Sequence, residues 1–332
     1  MLHYIIRRTL LMIPTLILIS MISFVIIQLP PGDILTSQIA ELEAQGEIGS
    51  AGARQQIEML RDRYGLNDPL YLRYGRWVWG IITRLDFGDS FYYEMSVRQV
   101  FEERLGLTLL LTLSTLAFSW IIAIPLGVYS AVRQYSLGDY TLTFFGFLGL
   151  ATPNFLIALV IMYIQMRVFH SPSVGGLFSA EYIGAPWSVR KVLDLLSHLW
   201  IPVLVIGTAG TATVLRIMRG NLLDILDQPH IQAARAKGLN EWFVIFKYAV
   251  RLALNPLVSR LGLQLPNLLS GAVVTSVVLG LPTAGPVFLT SLMTQDMYLA
   301  GAFLLLSGAF LLTGNLLADI ALALLDPRIR YD

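Results

Sequence analysis

The chain has no cysteine and is poor in charge for its 332 residues. Without cysteine it can form no disulfide, thiolate zinc site or cysteine-ligated iron–sulfur cluster. Charged residues make up 14% of the sequence, against about 25% in soluble domains, and hydrophobic residues make up 55%. A net charge of +1 argues against a nucleic-acid-binding protein, because such proteins carry a concentrated basic surface. The shortage of charge leaves too few polar side chains to cover a water-facing surface.

Long uncharged stretches provide the first positive signal. Six regions free of Asp, Glu, Lys and Arg can each supply the roughly 20 apolar residues that cross a membrane. The regions are Thr9–Leu29, Leu105–Val132, Tyr140–Met166, Leu195–Leu215, Leu261–Gln295 and Met297–Ala318. In the region 261–295, the turn Leu281-Pro-Thr-Ala-Gly-Pro286 should end the helix, so the span is predicted at about 261–281, followed by a short non-spanning segment. An all-α integral membrane protein with six transmembrane helices is therefore predicted.

The distribution of basic residues sets the orientation. Most Lys and Arg residues of the short connecting segments fall on one side of the predicted membrane, which should be the cytoplasmic side and should hold both termini. The chain then divides into an N-terminal segment with the first helix (1–29), an extracytoplasmic loop or cap (30–104) and a five-helix core (105–332). A cytoplasmic loop lies at about 216–260, between the fourth and fifth helices.

The large external loop carries many aromatic side chains. Tyr74, Trp77 and Trp79 lie in a segment, 71–85, that is apolar enough to pack on the membrane face of a helix bundle, and such rings favour the membrane interface. Two interpretations are open. The loop can be an interfacial cap that holds the first two helices, a docking surface for an external partner, or both.

The cytoplasmic loop contains a short segment, 228–238, that predicts a helix with defined ends. Pro229 suits the first turn of a helix, and Gly238 suits a left-handed cap at the end. Between them lie strong helix formers with little bulk, Ala233, Ala234 and Ala236. The residues alone leave two alternatives, an ordinary positively charged loop and a helix on which another protein docks.

Several motifs together resemble one family. Ala234-Arg-Ala-Lys-Gly-Leu239 resembles the signature of membrane permease subunits of ATP-binding-cassette (ABC) importers, and of the dipeptide/oligopeptide/nickel permease family in particular. Further motifs of that family, in order and over nearly the full length, are Pro31-Gly-Asp33, Tyr64-Gly-Leu-Asn-Asp-Pro-Leu70, Asp86-Phe-Gly-Asp-Ser90, Thr152-Pro-Asn-Phe155 and Asp326-Pro-Arg-Ile-Arg330. The combination is similar to oligopeptide permease B-like subunits.

This resemblance implies a role and a set of partners. The chain would form a translocation pathway with a second homologous permease in a bacterial or archaeal inner membrane. Two cytoplasmic ATPase subunits would bind ATP and Mg, and an extracytoplasmic substrate-binding protein would deliver the cargo. The family's coupling residues correspond here to Gln232, Ala233, Ala234, Arg235, Ala236, Lys237 and Gly238. The family motif begins with Glu, so Gln232 removes a carboxylate that could form a salt bridge to the ATPase.

Other classes of protein find less support in the residues. A phosphate-binding loop needs Gly-Lys-Ser/Thr, and none of Lys191, Lys237 and Lys247 lies in that motif, so an ATPase must be a separate chain. A secondary transporter or channel is the distant alternative, but ion-coupled carriers usually need ionisable residues at membrane depth, and the six runs contain no Asp, Glu, Lys or Arg. No His-Glu-x-x-His motif, cysteine nucleophile or carboxylate pair within a span suggests an enzyme, and no metal site or cofactor is predicted.

Uncharged amides within the spans are candidates for the pathway lining, because an unpaired amide facing lipid is costly. They are Asn154, Gln165, Gln264, Asn267 and Asn315. The competing interpretation of each is a hydrogen bond between helices. Glycines at 146, 149, 262 and 271 are expected to permit close helix contacts. Peptides are the cargo that the resemblance favours, with oligosaccharides or nickel as alternatives, and the scarcity of histidine and cysteine makes a metal path less attractive.

Overall fold

A computed structural model describes residues 2–28, 59, 68–170, 175–264 and 273–325. The candidate pathway residue Asn267 and the glycine at 271 lie outside this range. So do the motif residues 31–33, 64–67 and 326–330.

The described chain is almost entirely helical. The first half comprises α1 (Leu2–Gln28), α2 (Leu70–Arg84), the strands β1 (Asp89–Ser90) and β2 (Met95–Ser96), α3 (Val97–Val132), α4 (Leu137–Ala151) and α5 (Asn154–Arg167). The second half comprises a 3-10 turn (Ala180–Tyr182), α6 (Val189–Leu226), α7 (Pro229–Ala236), α8 (Glu241–Phe243), a π-helix (Val244–Ala249), α9 (Val250–Ala253), α10 (Asn255–Ser259), α11 (Val273–Val278), α12 (Ala284–Met293) and α13 (Met297–Leu325). The two strands pair antiparallel, with Asp89 opposite Ser96.

Within the described ranges, four helices are long and apolar enough to cross a membrane, and they lie in α1, α3, α6 and α13. A fifth span is present if α4 and α5 count together. These helices support an all-α membrane protein. The predicted fifth span at 261–281 lies partly outside the described residues, so the count of six helices stays a prediction.

The predicted third span, Tyr140–Met166, is not one continuous helix. It is divided into α4 and α5, which meet at 99°. The break falls at Thr152-Pro153, where Thr152 has an extended ψ of 122°. Proline disfavours the helical conformation of the residue before it and cannot donate a backbone hydrogen bond, so the helix ends there. By contrast, the predicted break of the region 261–295 is confirmed, although it lies earlier than 281–286, because α11 ends at Val278 and the short helix α12 begins at Ala284.

The chain forms two compact units. The first consists of Met1–Thr9, Leu107–Gly285 and Phe310–Asp332. It contains two hydrophobic clusters, one along the first half of α6 and one along the second half. Leu195 and Val205 belong to one cluster, and Met218 and Leu222 belong to the other. The second cluster also includes side chains from α7, the π-helix, α9 and α10, so the predicted cytoplasmic loop is a folded element packed on the end of α6.

Close packing in the first unit depends on particular glycines. A Cβ atom at Gly262 would lie 1.9 Å from Oδ1 and 2.6 Å from Cα of Asn315, and one at Gly149 would lie 3.0 Å from Thr208 Cγ2. The expectation of close helix contact is therefore confirmed at both positions. The expectation is wrong for Gly146 as far as the chain is described, because no atom of those residues lies within 4 Å of a Cβ placed there.

The second unit consists of Leu10–Gly106 and Pro286–Ala309. Trp77 of α2 is buried and stacks on Phe24 of α1 at 5.7 Å between ring centroids. The fully buried Asp296 connects the β1–β2 turn to the start of α13. Its Oδ2 accepts hydrogen bonds from Ser90 Oγ (2.6 Å) and Phe91 N (2.9 Å), and its Oδ1 accepts one from Leu299 N (3.2 Å). Burial raises the pKa of Asp296, and these hydrogen bonds oppose the shift.

Candidate coupling surface and candidate pathway

The helix predicted for residues 228–238, in the loop that is expected to be cytoplasmic, is present as α7. It begins at Pro229, directly after Gln228, and its last residue is Ala236. Gly238 adopts the left-handed conformation, with φ of +74°, and its N–H donates to the carbonyl of Arg235 at 2.9 Å. Proline at the start and glycine just after the end therefore define this helix, as the sequence indicates.

The two faces of α7 have different environments. Ile231 is fully buried and Ala234 is 8% exposed, and both belong to the hydrophobic cluster at the end of α6. Gln232, Ala233 and Ala236 are exposed on the remaining surface. The helix is therefore anchored by a large and a small apolar side chain, and it presents a thin surface on which another backbone could approach closely.

Arg235 connects α7 to the elements on either side of it. Its Nη2 donates to Glu241 Oε1 at 2.6 Å, its Nε donates to Glu241 Oε2 at 3.1 Å, and its Nη1 donates to the carbonyl of Leu226 at 3.4 Å. The guanidinium lowers the pKa of Glu241, and the carboxylate raises the pKa of Arg235. The family motif predicts Arg235 as a coupling residue from its sequence position alone. In the structure it fixes the turn between α7 and α8.

An exposed aromatic group lies next to α7. Asn240 caps α8 through a hydrogen bond from Trp242 N to its Oδ1 (3.0 Å). Trp242 and Phe246 stack with ring centroids 5.8 Å apart, and both are more than half exposed. Their exposed rings add apolar surface to the segment that directly follows α7.

A buried polar cluster ties three helices together near the end of α6. Arg219 of α6 donates from Nη2 to Asp139 Oδ2 and from Nε to Asp139 Oδ1, each at 2.8 Å. Ser130 of α3 also donates to Asp139, and Tyr135 N donates to Asp139 Oδ2 at 3.0 Å. Asp139 of α4 is almost fully buried. Sequence reasoning misses this cluster, whose members are up to 89 positions apart along the chain.

The candidate pathway residues are not brought together as one group. Asn154 and Gln165 lie on one face of α5, three turns apart, and Gln165 Oε1 is buried without a hydrogen-bond partner in the described chain. Asn315 of α13 packs against Gly262, two positions from Gln264. A groove of about 310 Å³ between α4 and α6 contains none of the four described candidates, and its polar end is formed by Arg216 and Arg219.

Metal chemistry finds no support in the described ranges, where no group of three or more His, Cys, Asp or Glu side chains could hold a metal ion.

Comparison with known proteins gives matches over nearly the whole chain. Residues 123–331 match the family described as binding-protein-dependent transport system inner membrane component, and residues 1–112 match the N-terminal part of such membrane components. The chain is 39% identical to the oligopeptide transport system permease protein AppB of Bacillus subtilis, over 99% of each chain. It is 30% identical to the oligopeptide permease OppB of Haemophilus influenzae, over 100% of each, and 29% identical to the dipeptide permease DppB of Escherichia coli K12, over 100% of this chain and 99% of that one.

These matches confirm the resemblance that the sequence motifs indicate. They identify a transport subunit rather than an enzyme, and a multi-pass inner membrane protein. The chain belongs to the family of binding-protein-dependent transport system inner membrane components, the permease subunits of ABC importers.

Proposed function

We propose that this chain imports peptides as one of two permease subunits in an ATP-driven importer, and that α7 receives the motion of an ATPase subunit. Peptides are favoured because relatives of nearly equal length are named as oligopeptide and dipeptide permeases. Oligosaccharides and nickel are the alternatives within the same importer class. Nickel is the weaker of the two, because the chain has four histidines and no cysteine.

The complex would contain a second homologous permease, two ATPase subunits and an extracytoplasmic substrate-binding protein. The family is binding-protein-dependent, which supports the last of these. Separate ATPase chains are needed because the sequence has no Gly-Lys-Ser/Thr loop to hold phosphate. ATP and Mg would therefore be bound outside this chain, which would need no cofactor of its own.

The proposed topology has six membrane spans, both termini in the cytoplasm and residues 30–104 outside. The bent pair α4–α5 would count as one span, and the region around 261–281 would supply the fifth. The excess of Lys and Arg in the short segments on one side supports this orientation.

The anchoring of α7 is the observation that best supports a coupling role. Because Ile231 and Ala234 are packed in the core at the end of α6, a force on the exposed residues of α7 would be transmitted to α6 rather than absorbed by a loose loop. The ion pair of Arg219 with Asp139 would pass the displacement from α6 to α4, and Ser130 would pass it to α3. ATPase closure could thus tilt several helices together and switch the pathway from inward-facing to outward-facing.

Gln232 would take the place of the family's glutamate on the docking surface. Its side chain is exposed, so its amide can form hydrogen bonds with a partner. Because the amide carries no charge, docking at this position should depend less on ionic strength than docking through a carboxylate.

For the pathway, we propose a lining role for Asn154 and Gln165 ahead of the other amides. The unpartnered Gln165 Oε1 supports this choice, since a buried acceptor without a partner is costly unless water or cargo satisfies it. Packing against Gly262 accounts for Asn315 as a helix-contact residue. Gln264 and Asn267 stay candidates from their sequence positions.

Crosslinking can test the coupling role directly, because the natural chain has no cysteine. In the assembled complex, Ala233→Cys should crosslink to an ATPase subunit through a short bifunctional reagent. Gln134→Cys, which is also exposed and on the same predicted side, is the matched control and should react with a soluble thiol reagent without capturing the ATPase. Equal capture at both positions, or capture at neither, would reject α7 as the contact.

A transport assay separates this function from the distant alternative of a secondary transporter or channel. The purified chain alone in liposomes should neither hydrolyse ATP nor carry peptide, whereas the full complex should take up peptide only with ATP. Solute uptake by the isolated chain would support the alternative. Competition by peptides, oligosaccharides or nickel in the full complex would identify the cargo class.

A further inference from the structure

Helix α2 has three different surfaces around its circumference. Tyr74 and Trp77 face the second unit's interior, where they contact Phe24 of α1. A second surface is apolar yet exposed, with Tyr71, Trp79 and Ile82 each about 70% exposed. An exposed stripe of this kind, with Tyr and Trp on it, is typical of a helix lying in a membrane interface.

The third surface of α2 is basic and borders a cavity of about 170 Å³ within the second unit. The cavity is lined by Arg73, Arg76, Trp77, Gly80, Asp86, Gly88 and Tyr298. It is large enough for a polar headgroup but not for a whole lipid, and the exposed apolar stripe lies on the adjoining part of the same helix.

Among the described residues, Arg73 is the cation of this cavity that has no acidic partner. It donates to Gln28 Oε1 at 3.1 Å and contacts Met297 Sδ at 3.6 Å, and its buried Nε has no hydrogen-bond partner in the described chain. The described residues offer it no carboxylate within ion-pair distance, although Arg76 pairs with Asp68. A partly buried guanidinium in this state favours an anion, and phosphate oxygens suit its planar donors.

The same cavity also holds one carboxylate, Asp86. Its Oδ1 accepts a hydrogen bond from Gly88 N at 2.9 Å, and among the described residues its Oδ2 has no bonded partner. Within the described part of the chain, an arginine without a counterion and a carboxylate with one unbonded oxygen therefore line the same cavity. This pair of charges matches a ligand that carries a phosphate and an ammonium group.

We propose that this cavity binds the headgroup of a phospholipid that carries a primary ammonium group. The phosphate would bind Arg73 and Arg76, the ammonium would bind Asp86, and the acyl chains would lie along Trp79 and Ile82. A soluble phosphate ester would satisfy the charges but not the exposed apolar stripe, so the stripe favours a lipid. The proposal rests on the extracytoplasmic placement of residues 30–104, and the lipid would then belong to the outer leaflet.

Native mass spectrometry of the purified complex in an equal mixture of phosphatidylethanolamine and phosphatidylglycerol tests the headgroup site. The complex should retain phosphatidylethanolamine, and Arg73→Gln should reduce its retention about tenfold, the loss expected for one charge-assisted contact. Arg84→Gln is the matched control, because it removes the same charge from the same helix but lies outside the cavity lining. It should leave retention unchanged.

Asp86→Asn provides a second variant in case Arg73→Gln disturbs folding. The amide oxygen can still accept the hydrogen bond from Gly88 N, but the negative charge is lost. The lipid retained by the Asp86→Asn complex should therefore shift from phosphatidylethanolamine towards phosphatidylglycerol. Millimolar inorganic phosphate should fail to displace the lipid, whereas displacement by phosphate would indicate a site for free anions and would overturn the proposal.

Brominated acyl chains test the position of the apolar stripe. They should quench the fluorescence of the natural complex more than that of Trp79→Phe, since bromine quenches tryptophan on contact. The site would be rejected by any one of three outcomes. These are equal quenching of the natural complex and Trp79→Phe, equal lipid retention by Arg73→Gln and Arg84→Gln, and an unchanged lipid preference in Asp86→Asn. Thr83→Cys tests the proposed topology separately from the lipid site. If a thiol reagent labels this exposed position only from the cytoplasm, the topology is wrong, whatever the lipid result.

Discussion

At the scale of single residues, the end of α7 depends on the conformation of Gly238. Its φ is +74°, yet a Cβ atom there would meet no atom within 4 Å. Any penalty for a side chain must therefore come from the backbone, where the left-handed conformation costs a residue with a Cβ about 1–2 kcal/mol. Gly238→Val should lower the thermal stability of the complex slightly and weaken ATP-dependent transport more strongly, because α7 would be displaced from its docking position.

Gly220 supplies the control for that substitution. A Cβ there also meets nothing within 4 Å, but the residue lies within α6 with no positive φ. Gly220→Val should therefore be nearly neutral, since valine is no worse than glycine inside a helix. If Gly238→Val and Gly220→Val transport equally well, the left-handed cap is not needed for coupling.

The pair formed by Asp139 and Arg219 gives a second prediction at this scale. The carboxylate is 3% exposed and the guanidinium 27%, so removing one partner leaves the other charge poorly solvated. Asp139→Asn or Arg219→Gln should each destabilise the protein by about 3 kcal/mol. The double variant should lose less than the sum of the two, because it leaves no unpaired charge. Thermal unfolding of all four proteins in one detergent measures this coupling, and strictly additive losses would contradict it.

Residues near each other in sequence are easier to predict than residues brought together by the fold. Pro229 and Gly238 define α7 through local backbone preferences, and the structure confirms both. The partner of Arg235 is only six positions away, but the pairing with Glu241 depends on the turn geometry at Asn240. Asp139 and Arg219 are 80 positions apart, and nothing in the local sequence connects them.

At the scale of elements, the contact between Gly262 and Asn315 sets how closely two helices approach. A Cβ at Gly262 would lie 2.6 Å from both N and Cα of Asn315, which cannot move without the whole of α13. Gly262→Ala should therefore separate the helices and destabilise the protein by about 1–3 kcal/mol, as overpacking does in cores. The expected readout is a lower unfolding temperature in detergent.

Gly146 is the matched control for this contact. It lies in α4, and a Cβ atom added there would meet only open space, so Gly146→Ala should be neutral or should stabilise the isolated chain by about 0.5–1 kcal/mol. If Gly262→Ala is as stable as Gly146→Ala, the close approach of the two helices is not required for folding.

The division of the third predicted span into α4 and α5 shows where element prediction fails. The absence of charge over 140–166 indicates burial in the membrane, and this signal is the same for a straight and for a bent helix. The sequence does contain a helix-breaking residue, Pro153, at the position of the bend. It lies within a family motif, however, and one proline does not by itself end a predicted span. A proline between two apolar runs is local information, whereas the angle of 99° depends on the packing of both halves.

At the scale of the whole molecule, composition is sufficient to predict the class of protein. A chain with 14% charged residues and several long uncharged runs has few options other than a helical membrane protein. The arrangement into two units is not predictable in the same way. The segment 286–309 joins the compact unit of residues 10–106 through contacts such as those of Asp296 with the β1–β2 turn, and these contacts bridge about two hundred positions of sequence.

The orientation of the chain in the membrane gives the last prediction. Lys and Arg concentrate in the segments assigned to the cytoplasm, so the loop with α7 and the α3–α4 turn should lie on that side and α2 on the other. Because the chain has no cysteine, Ala233→Cys, Gln134→Cys and Thr83→Cys each introduce a single thiol at an exposed position. In intact spheroplasts, a membrane-impermeant thiol reagent should label only Thr83→Cys, and permeabilisation should expose the other two. Labelling of Ala233→Cys in sealed cells would place α7 beyond the reach of any cytoplasmic ATPase, and the coupling mechanism would then be wrong even though the family assignment would stand.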